Sequence, residues 1–409
     1  MRHISTQGEV FYYSRFRIRI KADHQPRDET ARFCWDTRRL NLSCDPLTAF
    51  HAGQHGMMKK RLQRLGPAAA IGIGAGVAAA VLCSLAGHET IPAAVLANLS
   101  PLPIMIAMLG YGTIAGASAV ASAALTVSTL FYAQEKFGNL DAAALAGLTF
   151  VFFLGLPALW LSLLSVLSRV KGSSNWVVTT RVGSFFAREY CPLERILSYA
   201  TSLCATIGVA IAIYVSSLYG GFDIAVQRLS AEIAPYVEQL IGAKAHLPAN
   251  IDARGLARAS VLAAAPLVAG CSLVMLMFNL WLAGRITQLS GQLPRPWPDI
   301  AWELRLPRIY LLVFGASSAI GPYLGGLPGL IVVIVAVTLG VAFALLGLAV
   351  AHYLLRGSSF RIPLLAVIYL GLIIPVTWIV FLLALVVAGI LDAALSLRDR
   401  KNKSAPLKP

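Results

Sequence analysis

Residues 328–355 read PGLIVVIVAVTLGVAFALLGLAVAHYLL and contain no Asp, Glu, Lys or Arg. Two further stretches, 259–283 and 364–391, also lack charged residues. About 20 consecutive apolar residues are enough for an α-helix to span the hydrocarbon core of a bilayer. Nine apolar stretches, each long enough to cross a bilayer or nearly so, fill the chain from Gly66 to Leu397. We therefore predict an all-α fold, a polytopic transmembrane helical bundle.

Composition supports this class of protein. The chain is 57% hydrophobic and 13% charged, whereas a soluble domain is about 45–50% apolar and about 25% charged. The net charge of +15 comes from basic residues in short loops and tails beside the spans, where they set orientation in the membrane. The predicted partner is accordingly the lipid bilayer and not a nucleic acid. The six cysteines have no metal-ligand spacing, so neither zinc nor disulfides are predicted.

Orientation follows from the distribution of Lys and Arg, because basic loops stay in the cytoplasm. The clusters lie at 59–64, 169–195, 285–308, 356–361 and 398–403. Alternating spans place the first four on one side. The last cluster joins them only if the number of crossings is even, which requires a break near Pro375 within 362–397 or a re-entrant earlier segment. We predict 8–10 spans in the inner membrane of a bacterium, with both termini cytoplasmic.

Three parts of the chain have different compositions. Residues 1–57 are polar and lack an apolar signal region, and they are predicted to be a disordered extension or an over-long gene start. Residues 58–400 form the transmembrane domain, and 401–409 a cytoplasmic tail. Within the domain, the insert 220–258 carries apolar residues at three- and four-residue spacing between charges. This pattern predicts one amphipathic helix outside the membrane, on the external side.

Several strings along the spans resemble the bacterial domain-of-unknown-function 2232 (YybS-like) membrane proteins. They are Asn279-Leu280-Trp281-Leu282-Ala283-Gly284-Arg285, Arg295-Pro296-Trp297-Pro298-Asp299, Gly155-Leu156-Pro157-Ala158-Leu159-Trp160 and Tyr190-Cys191-Pro192-Leu193-Glu194-Arg195. The resemblance covers roughly 58–400. That family looks distantly similar to the substrate-binding (S) components of energy-coupling-factor transporters. This likeness implies a small-molecule substrate and a first helix that docks on a partner membrane subunit.

Small residues at four-residue spacing predict close helix–helix contacts. They occur in the first span at Gly72, Gly76 and Ala80, and in the third at Gly112 and Gly116. The likeness to S components assigns the first of these faces to the partner subunit. A second copy of the chain is the other candidate partner.

Five residues are candidates for substrate binding: Asn279, Trp281, Arg285, Asn98 and His352. Asn279 carries an amide inside an apolar span, which needs either a neighbouring helix or a ligand as its partner. Asn98 lies beside Pro101 and Pro103, where a broken helix would expose backbone polar groups to a solute.

The remaining candidates lie near the span ends. Arg285, close to Trp281, is either an anion-binding group or a membrane anchor. His352 is either a proton or substrate site or an interfacial residue. Asp392 either pairs with Arg398 or extends towards the membrane surface.

Two functional hypotheses remain open. The sequence lacks the His-Glu-x-x-His, Gly-x-Ser-x-Gly and phosphate-loop motifs, so no enzyme, catalytic residue, cofactor or metal site is predicted. One hypothesis is a small-molecule transporter or substrate-binding membrane component. The alternative is a non-transporting membrane scaffold for an envelope or assembly complex.

Overall fold

Almost every described segment of the computed structural model is helical. A helix satisfies its own backbone hydrogen bonds, which is what a lipid environment demands. The structure describes residues 66–87, 90–134, 139–170, 177–178, 188–243 and 252–404, all within one compact unit, Leu62–Pro409. The predicted extension 1–57 lies outside the described residues.

The elements follow one another in a simple order. They are α1 (Gly66–Gly87), α2 (Ile91–Ala97), α3 (Pro101–Tyr111), α4 (Thr113–Gln134), α5 (Leu140–Phe150), a π turn (Val151–Gly155), α6 (Leu156–Val166), β1 (Leu167–Val170), β2 (Val177–Val178), β3 (Arg188–Tyr190), α7 (Leu193–Leu218), α8 (Phe222–Ala243), α9 (Ala253–Leu289), α10 (Ile300–Glu303), α11 (Ile309–Ile320), α12 (Gly326–Leu354), α13 (Arg361–Ile373), α14 (Trp378–Leu395) and α15 (Leu397–Ser404).

Eight helical segments in the described part of the chain are long and apolar enough to cross a membrane. In this count α2 with α3, and α5 with α6, each form one segment. Two shorter apolar segments, Ile309–Tyr323 and Arg361–Ile373, accompany them. The prediction of an all-α polytopic bundle with 8–10 spans is confirmed.

The last apolar stretch is broken near Pro375, as predicted. Helix α13 ends at Ile373 and α14 begins at Trp378. Ile374 has φ −75° and ψ 122°, the extended conformation that a following proline imposes. Proline also lacks the N–H that would continue the helix.

The amphipathic helix predicted in the insert is α8, which packs along the first turns of α9. The charge-free stretch begins at 259, but α9 begins six residues earlier, at Ala253. The side chain of Asp252 accepts hydrogen bonds from the N–H groups of Arg254 and Gly255. This N-cap lets the helix start in a charged region that a hydropathy window rejects.

A pair of glycines brings α12 and α14 into contact. A Cβ at Gly347 would overlap the carbonyl oxygen of Leu385, and one at Gly389 would overlap that of Phe343. Lys401, just after α14, donates to the carbonyl of Leu354 in the last turn of α12, so the two helices run parallel. Both therefore end at the same side of the bundle.

A small antiparallel sheet of order β2-β1-β3 follows α6. The sequence identifies this region only as a basic cluster, 169–195. Arg169 lies opposite Glu189 in the β1–β3 register, and their side chains form an ion pair of 2.9 Å. Cross-strand charge pairs of this kind stabilise register in a short sheet.

Candidate functional site

The site is built around the break between α2 and α3. Pro101 has no N–H, and the N–H of Leu102 bonds to the carbonyl of Leu99 at 3.0 Å. In a helix the carbonyl of Asn98 would accept a hydrogen bond from the N–H of residue 101 or 102. Because Pro101 has no N–H and Leu102 bonds elsewhere, this carbonyl has no such backbone donor. The two prolines expose one backbone acceptor within a membrane-spanning segment.

Asn279 of α9 binds this exposed carbonyl. Its side chain is completely buried, and its NH2 group donates to the carbonyl oxygens of Asn98 at 2.9 Å and Met275 at 2.8 Å. The first hydrogen bond links α9 to the α2–α3 break, and the second lies within α9. The predicted alternative of helix–helix bonding is thus present in the structure.

Two polar atoms at this junction have no hydrogen-bond partner: the Asn279 Oδ1 atom and the Ser100 Oγ atom. Both residues are at least 99% buried. An unsatisfied buried acceptor or hydroxyl costs about 1–3 kcal/mol. The junction therefore retains one buried acceptor and one buried hydroxyl without a hydrogen-bond partner.

The depth of the junction follows from the charges on α9. Between Arg258 and Arg285 this helix has no charged residue, and about 1.5 Å of rise per residue separates these arginines by about 40 Å. That distance is close to the thickness of a bilayer with its headgroups. Asn279 lies about 9 Å inside Arg285, within the hydrocarbon region.

The other predicted binding residues do not converge on Asn279. Trp281 is exposed, and Arg285 donates to Gln288 on its own exposed helix face. His352 donates through its Nδ1–H to the Leu348 carbonyl oxygen at 2.9 Å, and its Nε2 lies 3.4 Å from the Tyr369 hydroxyl. Of the five predicted residues, the structure brings together only Asn98, through its backbone, and Asn279.

The predicted helix-packing residues have different roles. The positions of Gly72 and Gly76 leave no room for a Cβ against Ser118, Ser122 and the backbone of α4. The face assigned to a partner subunit by resemblance, which includes the buried Ala80, is therefore covered at these glycines by the chain's own α4. Two serines, Ser118 and Ser122, also donate across to the carbonyls of Ala69 and Ile73.

Gly112 and Gly116 were expected to share one helix contact. Gly116 packs tightly on Met108 and Leu159. Gly112 instead ends α3 with φ +92° and has no atom near its missing Cβ. It forms the turn between α3 and α4 at a positive φ, which glycine adopts without steric cost.

The other polar cluster lies at the end of the bundle where α12 and α14 stop. Arg398 is 1% exposed and forms an ion pair of 2.7 Å with Asp392. It also donates to the carbonyls of Ala301, Trp302 and Leu304. The pairing alternative predicted for Asp392 is the one observed.

Exposed ion pairs surround this buried pair. Arg305 binds Asp399 and Arg356 binds Asp299, each at 2.6 Å. The hydrogen bonds from Arg356, more than its charge, hold the pKa of Asp299 below the ordinary value of 3.8. These contacts gather the basic clusters of 285–308, 356–361 and 398–403 at one end of the molecule.

Arg295, which no sequence pattern marked as a functional residue, is buried at the same end. It lies over the rings of Tyr190 at 5.2 Å and Trp297 at 5.9 Å, and burial lowers its pKa from 12.5. Its Nε atom and the Trp297 Nε1 atom have no partner. The Arg-Pro-Trp-Pro-Asp string was the available signal, because it places an aromatic ring two residues from the guanidinium.

The described residues contain no group of three or more His, Cys, Asp and Glu side chains that could hold a metal ion. The helices and their apolar surfaces define a multi-pass α-helical membrane protein. Comparison of the chain with models of protein families, with curated proteins and with solved structures gave no match.

Proposed function

We propose that this protein is a substrate-binding membrane component or transporter for a small polar molecule, and that the molecule binds at the α2–α3 break. The observation that carries the proposal is the unsatisfied pair at the junction, Asn279 Oδ1 and Ser100 Oγ. Broken helices and unpaired polar groups at membrane depth are the usual elements of a transporter binding site.

The chemistry of the two atoms limits the molecule. Asn279 Oδ1 can only accept a hydrogen bond, while a serine hydroxyl can donate or accept. The substrate therefore carries at least one N–H or O–H donor. Charged side chains are absent from the junction's own residues, so a neutral or zwitterionic molecule is preferred over one with net charge.

Small molecules that copurify with the protein in mild detergent provide the test. Mass spectrometry of the extract should find a polar metabolite with the wild-type protein, and its amount should fall at least about tenfold in Asn279→Leu. Thr338→Val is the matched control. Thr338 is equally buried in α12 but bonds only to Ile334 O of its own helix, so the metabolite should remain.

Movement across the membrane is measured separately, as uptake of the identified metabolite into proteoliposomes. Wild-type uptake that Asn279→Leu abolishes and Thr338→Val preserves supports a transporter. Equal metabolite content in all three proteins would refute the proposal. Recovery of envelope or assembly proteins with no metabolite would favour the scaffold hypothesis in its place.

A further inference from the structure

A cavity lies far from Asn279, at the opposite end of α9. It has a volume of about 290 Å³ and opens between α7, α8 and α9, with Leu330 of α12 at its base. Its walls are apolar except for Ser216 and Ser260. Two of the lining residues, Ser260 and Ala264, are exposed, so the cavity is accessible from the surface.

The cavity suits an apolar chain and not a polar solute. A cavity of about 150 Å³ lined by Leu, Ile and Phe stays dry and holds a benzene molecule, and this one is roughly twice as large. Its α8 wall consists of residues on one helical face, at three- and four-residue spacing: Phe222, Ala225, Val226, Leu229 and Ile233.

Position along α9 places the cavity at the depth of lipid acyl chains. If Arg285 marks one headgroup layer, Arg258 marks the other, about 40 Å away. The lining residues 260–265 begin just inside Arg258 and extend about 10 Å towards the bilayer centre. This is the part of the leaflet occupied by the acyl carbons next to the headgroup.

Two arginines lie at the headgroup end of the same face. Arg258 precedes Val261 and Leu262 of the lining by three and four residues, and Arg254 lies one turn earlier, so all four project from one side of the helix. Both arginines are exposed, and neither forms an ion pair with any described residue.

The acidic groups near Arg254 and Arg258 do not form ion pairs with them. The carboxylate of Asp252 accepts from the backbone N–H groups of Arg254 and Gly255. Asp223, Glu232 and Glu238 of α8 are exposed and form no ion pair with either arginine. The adjoining residues 244–251 contain no Asp or Glu.

We propose that this cavity binds one acyl chain of an anionic phospholipid from the surrounding bilayer, with the lipid phosphate held by Arg258 and Arg254. The guanidinium groups supply charge-assisted hydrogen bonds to phosphate oxygens. The bound lipid fills the space between α8 and the spans, and so holds α8 against the bundle.

Native mass spectrometry of the full chain tests this proposal. Phosphatidylglycerol and phosphatidylcholine with identical acyl chains are added to the detergent-purified protein. The wild type should retain phosphatidylglycerol preferentially. Arg258→Gln should lower that preference about fivefold, whereas Arg285→Gln, the matched arginine at the other end of α9, should leave it unchanged.

A second pair of variants tests the cavity itself. Ala264→Phe fills the cavity from an exposed position and should remove both lipids, while Leu267→Phe, exposed on the same helix but outside the lining, should not. Lipid retention by Ala264→Phe equal to wild type would overturn the proposal. Three other results would also overturn the proposal. They are retention of detergent alone, loss of the phosphatidylglycerol preference in Arg285→Gln, and a copurifying protein that excludes lipid.

Discussion

Arg398 is the most deeply buried charged residue in the described part of the chain, with 1% of its surface exposed, and its guanidinium donates to Asp392 and to three backbone carbonyls. Ser396 precedes Arg398 by two residues. With a φ of 51°, it is the single non-glycine residue with positive φ among those described. Ser396 ends α14 and turns the chain so that the guanidinium returns to Asp392 and the carbonyls of 301–304. A buried charge of this kind is stable only while all its partners are present.

Replacement of Asp392 by Asn should therefore destabilise the protein by about 3–5 kcal/mol, because Arg398 would remain buried without its counter-charge. Asp399→Asn is the matched control. It removes the carboxylate from Arg305, whose side chain is 37% exposed, so the loss should stay below about 1 kcal/mol. Thermal unfolding of both variants in one detergent measures the difference, and equal losses would contradict this account of the buried pair.

Sequence identified the components of the Asn98–Asn279 junction but not their contact. Prolines 101 and 103 predict a break, and an amide in an apolar span predicts a partner. Neither pattern specifies which helix packs against which, because the partner of Asn279 lies 181 residues away in the chain. Trp281 and Arg285 were grouped with Asn279 because they follow it closely, although successive residues of a helix face different directions.

At the scale of elements, helix contacts in this bundle depend on small residues. Lipid chains are as apolar as leucine, so helices associate through close packing and not through the hydrophobic effect. The α12–α14 pair shows this most clearly, since Gly347 and Gly389 bring the two backbones into contact. Neither glycine belongs to the small-residue series recognised in the sequence, because each is a single glycine whose counterpart is on another helix.

Gly347→Ala should separate α12 from α14 and lower the thermal stability markedly, because its Cβ would overlap the backbone of Leu385. Gly340→Ala is the control on the same helix. Its Cβ would lie 3.5 Å from Phe314, an ordinary contact, and alanine is the better helix former. Unfolding temperature and the monodisperse yield after size-exclusion chromatography compare the two. Similar behaviour of the two variants would show that the α12–α14 contact adapts to an added methyl group.

At the scale of the whole molecule, charge separates the two ends of the bundle. One end carries the buried Arg398 and Arg295, the ion pairs of Arg305 and Arg356, and the bond from Lys401 Nζ to the last turn of α12 at Leu354 O, 2.6 Å. The α8 helix lies at the start of α9, whose other end, beyond Arg285, leads into this basic cluster. The sequence predicts the basic end from hydropathy and charge alone, since both are properties of composition along the chain.

The basic end should face the cytoplasm and α8 the outside, because positively charged loops resist translocation. Single cysteines report this in intact cells treated with a membrane-impermeant maleimide. Gln239→Cys, exposed near the end of α8 and beyond the cavity lining, should react at once, whereas Ser290→Cys, exposed at the end of α9, should react only after the cells are opened. Since α9 separates the two positions by one crossing, reaction of both cysteines in intact cells would mean that α9 does not span the membrane. Reaction of Ser290→Cys alone would reverse the orientation and place the phospholipid cavity in the inner leaflet.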